Sequence, residues 1–192
     1  MISIIDTGSG NIASIHNMLS YLNFSNKITT NLDILQNSKI LILPGVGTFD
    51  YVINELQRNN IFDFLKNPKN LENKYLIGIC VGMQLLFDES KEGNLKGLSL
   101  IEGNVKKFEK LHMGWNNIFF NNETKVSKND FYYFAHNYYV ECDKKNILKY
   151  CNHTVKFPAI VKKKNIFGIQ FHPEKSHVNG IDLFRNLITS LK

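Results

Sequence analysis

At 192 residues the chain is long enough for one domain whose core needs no disulfide or metal staple, and 43% hydrophobic with 21% charged residues is a globular balance. The formal charge is +6, but the lysines are scattered among asparagines without an aromatic-interleaved basic stripe, which argues against a nucleic-acid surface. Three cysteines, Cys80, Cys142 and Cys151, without CxxC spacing argue against a disulfide framework and a cysteine-rich zinc site, and no apolar run approaches the roughly 20 residues of a membrane span.

Met1 leads directly into the apolar run Ile2 to Ile5, predicted as a strand; with no basic or long apolar leader before it, the expected location is the cytosol. Ile12, Ile15, Leu19 and Leu22 share one face of a predicted helix over 12–22, followed by a strand over 40–43 and a helix over 51–59. A strand over 75–79 and a helix over 82–87 come next. Beyond Gly93 strands dominate, at 105–108, 117–120, 131–135, 138–142, 159–163 and 166–170, with Lys162-Lys163-Lys164 as a turn, and a helix over 180–191 closes the chain. Strands alternating with helices imply a doubly wound, mostly parallel α/β sheet flanked by helices, here with a strand-rich second half. No repeat, linker or boundary divides residues 1–192, so one domain is expected.

Three stretches carry chemistry. Gly78-Ile79-Cys80-Val81-Gly82 has the form of a nucleophile elbow: flanking glycines permit a sharp strand-to-helix turn, the helix start favours the thiolate, and the Val81 amide is placed to meet an oxyanion. Read alone, it equally suits a packed structural thiol. Phe167-Gly168-Ile169-Gln170-Phe171-His172-Pro173-Glu174 offers a base, with Glu174 two residues on and Pro173 stiffening the link, so that the carboxylate can orient the imidazole. Leu43-Pro44-Gly45-Val46-Gly47-Thr48-Phe49-Asp50 is either a simple turn or a backbone donor strand at the edge that carries the elbow.

With IGICVGMQLLF, LPGVGTFD and FGIQFHPEKS, the chain resembles the class I (triad) glutamine amidotransferases over nearly its whole length. More narrowly it is similar to the glutaminase subunits of imidazole glycerol phosphate synthases, on the strength of Pro44 to Gly47, His112-Met113-Gly114-Trp115-Asn116, Phe134-Ala135-His136, Lys175 and Ser176. The resemblance implies a Cys80, His172, Glu174 triad, with oxyanion donors at Val81, Val46 and Gly47. It implies L-glutamine held by Gly47, Gln84, Glu92, Asn137 and Tyr138. It also implies a heterodimeric partner, a (β/α)8-barrel cyclase that turns the released ammonia into imidazole glycerol phosphate and aminoimidazole carboxamide ribotide for histidine, docked near Asn11, Trp115, Asn116, Tyr133 and Lys175.

No cofactor, metal, nucleic acid or membrane is implied, and without a Walker loop or GxGxxG the acceptor site is expected on the partner. From the residues alone, Gln84 also fits a helix surface, Glu92 a solvated loop and Trp115 a core. The sequence departs from the family pattern at Thr7 in the loop 6–11, at Leu111 and at Asn137. Asp50 and His177 suggest a second acceptor, in a related amidotransferase serving cell-surface sugar biosynthesis. A cysteine hydrolase with the same elbow, or a non-catalytic module, is the more distant alternative.

Overall fold

Isoleucine and leucine runs too short for helices form the central strands. Ile2–Ile5 (β1), Ile40–Leu43 (β3) and Ile166–Ile169 (β10) are buried at every position, and Tyr75–Ile79 (β4) at all but its first. Consecutive burial along a strand means that both sheet faces are covered, the mark of an α/β sheet. The computed structural model describes residues 1–8, 11–120 and 131–191, so Ser9 and Gly10 of the loop after β1 lie outside the described residues.

In chain order the remaining elements are helix α1 (Ile12–Tyr21), strand β2 (Asn26–Thr29), helices α2 (Leu32–Gln36), α3 (Phe49–Arg58), α4 (Ile61–Lys66), α5 (Pro68–Leu71) and α6 (Val81–Gln84), strands β5 (Glu89–Ser90), β6 (Gly103–Asn117), β7 (Phe131–Cys142), β8 (Ile147–Asn152) and β9 (Lys156–Lys163), and helix α7 (His177–Ser190). The main sheet runs β2-β1-β3-β4-β10-β9-β8, parallel from β2 through β10 and antiparallel at the two β9 pairings. The doubly wound, mostly parallel sheet expected from the sequence is therefore present. Of the lysine run expected as a turn, only Lys164, at φ 54, turns β9 into β10; Lys162 and Lys163 are the last residues of β9, paired with Phe167 and Ile166.

Several boundaries differ. The predicted helix over 82–87 is the single turn α6, begun one residue earlier. The strands predicted over 131–135 and 138–142 are one strand, β7, paired antiparallel with β6, which also takes in the His112 to Asn116 motif. The strand predicted over 117–120 is absent: β6 ends at Asn117, and Phe119 makes only an isolated bridge to Tyr150. Helix α3 starts at Phe49 because the Thr48 side chain caps it through the Tyr51 amide.

Three neighbouring parallel strands, β3, β4 and β10, end side by side, and the three chemistry-bearing stretches follow them directly. Ligands in open α/β sheets bind at such carboxyl ends.

Candidate active site

Cys80 carries the turn itself. Its φ of 56° and ψ of -113° lie in a region that L residues rarely adopt, the kind of backbone strain found at functional sites. The flanking glycines serve another purpose than turning, since neither has positive φ. A Cβ on Gly78 would collide with the Gly82 carbonyl, and one on Gly82 with the Leu43 carbonyl, so both positions are bare to let the elbow and the end of β3 pack. Because α6 spans only 4 residues, a helix macrodipole contributes little. What remains at Cys80 is local: Val81 is the first residue of the helix, where an amide has no intrahelical acceptor.

His172 is brought in by β10. The Cys80 amide donates to the Ile169 carbonyl at 2.8 Å, and the His172 amide donates to the Tyr133 carbonyl at 2.9 Å, which fixes the chain between them. Ser176 adds a staple, its hydroxyl donating to the His172 carbonyl at 2.6 Å and accepting the Tyr133 amide at 2.9 Å. His172 Nδ1 then lies 2.8 Å from Glu174 Oε1, with the two side chains only 5% and 1% exposed. Burial disfavours the imidazolium, but the charge and hydrogen bond of Cys80, followed by those of Glu174, outweigh it and raise His172 to about 10. Asn11, expected at a partner surface, commits its amide to Glu174 Oε1 at 3.2 Å.

A pocket of about 210 Å³ opens between these elements, lined among others by Val46, Gly47, Cys80, Gln84, Glu92, Asn137, Tyr138 and His172. The residues expected to hold substrate thus meet at one cavity. Gln84 is buried rather than on a helix surface, its Nε2 donating to the Tyr138 carbonyl at 3.2 Å and to Gln170 Oε1 at 3.3 Å. Glu92 is half-buried; its Oε2 accepts the Phe49 amide at 2.8 Å and anchors the PGVG segment. Desolvation raises its carboxyl above the ordinary range, partly countered by that hydrogen bond, with the Asp50 charge adding to the rise. Asp50 itself takes the Asn94 and Leu95 amides at 2.9 and 3.1 Å and so fixes the loop that presents Glu92.

Beside the pocket, the outer face of the β6–β7 ribbon carries Leu111, Met113 and Trp115, with Tyr133 opposite Trp115 and Ala135 opposite Met113. Trp115 is 45% exposed, not a core residue, and stacks on His177 with ring centroids 5.1 Å apart and planes 9° apart. Lys175 Nζ stands 5.9 Å above the Tyr133 ring.

A family profile described as glutamine amidotransferase class-I matches residues 3–190. The chain belongs to this family. Among curated relatives of this class I amidotransferase, "Imidazole glycerol phosphate synthase subunit HisH 2" of Methanococcus maripaludis is 44% identical, covering 98% of each chain. "Imidazole glycerol phosphate synthase subunit HisH" of Leptospira borgpetersenii is 40% identical over 97% of this chain and 98% of its own. Among solved structures, one titled "Crystal structure of glutamine amidotransferase" matches with TM-score 0.75 at 16% identity over 98% of each chain. "Structure of PurLQS from Thermotoga maritima" matches at 0.74 and 20%, over 100% of this chain and 98% of that one. Both carry the amidotransferase fold.

Sequence reasoning missed Gln170, fully buried, with its Nε2 4.0 Å from Cys80 Sγ, and the buried pair His112 and His136, of which His136 also lines the pocket. A glutamine inside an apolar strand run was a usable signal for the first. Among the described residues no helix is long and apolar enough to cross a membrane, and no group of three or more His, Cys, Asp or Glu is arranged to hold a metal ion.

Proposed function

We propose that residues 1–192 act as one domain, the glutaminase subunit of an imidazole glycerol phosphate synthase in histidine biosynthesis. The observation that carries this is the buried His172–Glu174 pair lining one pocket with Cys80, in a chain whose relatives bear that name along their full length.

Cys80 Sγ attacks the side-chain amide carbon of L-glutamine. The oxyanion is met by the Val81 amide and by backbone N–H groups at Val46 and Gly47, whose φ of 105° is open only to glycine. The His172 imidazolium passes its proton to the amide nitrogen, the C–N bond breaks, and ammonia leaves a glutamyl thioester. Water then attacks with His172 as base and Glu174 holding the ring, and glutamate departs. The balance is glutamine plus water to glutamate plus ammonia. Half-buried Glu92, the Gln84 amide and the Asn137–Tyr138 segment supply the acceptors and donors that an amino-acid head group needs.

Ammonia in bulk water is protonated and lost, so the synthesis it feeds requires a docked partner, which we read as a (β/α)8-barrel cyclase in a cytoplasmic heterodimer. The exposed apolar stripe of Leu111, Met113 and Trp115 at the pocket mouth suits such docking, with Tyr133 and Lys175 around it and Asn11 fastened to Glu174 behind, whereas Asn116 turns to the opposite face of β6, where it bonds His112 and the Asn152 carbonyl.

The test is glutamate release by this chain mixed with the histidine-pathway cyclase and its ribulosyl nucleotide substrate, against the same mixture with a cell-surface-sugar barrel partner. Stimulation by the first alone supports the reading. Stimulation by the second alone moves the chain to the other pathway.

A further inference from the structure

The inner face of the β6–β7 ribbon holds a one-way hydrogen-bonded chain. His112 and His136 are directly opposed in the antiparallel register, and both are buried. His136 Nδ1 lies 2.7 Å from the Tyr138 carbonyl, which can only accept, so Nδ1 carries the proton. At the other end, the Asn116 amide is oriented by two bonds: its Oδ1 accepts the Asn117 amide at 2.8 Å and its Nδ2 donates to the Asn152 carbonyl at 2.8 Å. That Nδ2 also lies 3.2 Å from His112 Nε2, which must therefore be the acceptor. Between these ends, His112 Nδ1 stands 3.1 Å from His136 Nε2, and only the direction His112 to His136 satisfies both. Both rings are thus fixed as neutral Nδ1–H tautomers. Burial pushes His136 down to about 3, and burial with the His153 charge pushes His112 down to about 4, in accord with that geometry.

The chain ends on the carbonyl that also takes Gln84 Nε2. Since the other Gln84 N–H goes to Gln170 Oε1, both amide hydrogens are spent inside the protein, and Gln84 Oε1 is left buried without a partner among the described residues. We propose that His112 and His136 are positioning residues for glutamine: the relay holds the Tyr138 carbonyl, the carbonyl holds the Gln84 amide in one orientation, and Gln84 Oε1 is thereby kept as the acceptor for a donor on the substrate. This rests on the reading of Gln84 as a glutamine-binding residue.

The experiment is a double-mutant cycle in the glutaminase reaction of the assembled synthase, using Gln84→Ala, His136→Leu, their combination and His136→Gln. The relay gives about a tenfold rise in KM for glutamine in His136→Leu, with kcat within about twofold, for the loss of one positioning hydrogen bond. It gives no further rise when His136→Leu is added to Gln84→Ala, and recovery in His136→Gln, whose amide retains a donor and an acceptor. Should His136→Leu fail to fold, Asn116→Ala at the outer end of the chain is read in the same way. A raised KM in Gln84→Ala beside a wild-type KM in folded His136→Leu overturns the relay alone, as do effects that multiply in the double variant. A wild-type KM in Gln84→Ala overturns the glutamine-binding reading and the relay with it.

Discussion

The amide of Cys80 donates to the carbonyl of Ile169 at 2.8 Å, tying the elbow to the strand that leads to His172. Cys80 and His172 are far apart in sequence but follow adjacent parallel strands, β4 and β10. Their meeting is a property of strand order, and its tolerance is set by backbone packing.

That packing leaves no room at the elbow glycines. Gly82→Ala drives a methyl into the Leu43 carbonyl, a backbone atom that cannot rotate away. The expected cost is about 3 kcal/mol or more, read as a shift of the denaturant midpoint. Gly47→Ala meets nothing closer than the Tyr51 ring at 3.5 Å but is strained by the φ of 105°. Its stability loss is expected to be smaller, about 1–2 kcal/mol, while turnover is expected to fall because the segment proposed to supply oxyanion donors is disturbed.

Glu92→Gln separates anchoring from charge. The amide oxygen still accepts the Phe49 amide, so the melting temperature is expected to stay within a few degrees, about 0.5 kcal/mol. On the proposed role of Glu92 in holding the glutamine head group, removing the charge takes away a partner for the substrate ammonium, and KM is expected to rise about tenfold or more. Steady-state kinetics beside a thermal melt checks both halves.

The neutral histidines make acid costly. An unfolded histidine takes a proton below its ordinary value of 6.5, whereas folded His136 and His112, lowered by burial to about 3 and about 4, do not. Stability from each is therefore full above 6.5 and is lost as pH falls toward its folded value, at up to about 1.4 kcal/mol per pH unit per proton. Denaturant midpoints measured between about pH 7 and pH 5 are expected to fall less steeply in His136→Gln than in wild type. His172 acts oppositely, being raised to about 10. Its contribution is complete below 6.5 and is lost as pH rises toward 10, a loss that Cys80→Ser is expected to blunt because the largest raising cause is gone.

Trp115 is the only tryptophan in the chain and stands on the exposed face beside the pocket. Trp115→Ala is expected to weaken partner binding by about 2 kcal/mol, roughly thirtyfold in Kd, without loss of folding stability. Titration calorimetry with the cyclase measures the first and a thermal melt the second.

The sequence carried the central strands, the elbow at Cys80 and the His172–Glu174 pair because all are local signals: an apolar run, a cysteine between glycines, and a histidine two residues from a carboxylate. It did not carry β2, whose mostly polar, part-exposed residues lie at one end of the sheet, or β8 at the other end, where Lys149 and Asn152 interrupt a run with only Tyr150 and Cys151 buried, nor the short helices α2, α4 and α5. The relay was invisible for a deeper reason. His112 and His136 meet only through the pairing register of β6 and β7, and a register shifted by one residue would put His136 on the outer face. The role of Gly78 and Gly82 was misread for the same cause: what excludes a side chain there is close packing within the elbow and against β3, which the local pattern does not contain.

The most direct measurement is peptide mapping by mass spectrometry after brief exposure to a chloroketone analogue of glutamine. Burial holds the Cys142 thiol at about 11 and the Cys151 thiol at about 12, leaving both poor nucleophiles near neutral pH. The expected result is a single adduct on Cys80, protected by glutamine and lost in Cys80→Ser and in His172→Ala. An unmodified Cys80 in the folded protein, or labelling spread over Cys142 and Cys151, would contradict the assignment of Cys80 as the nucleophile.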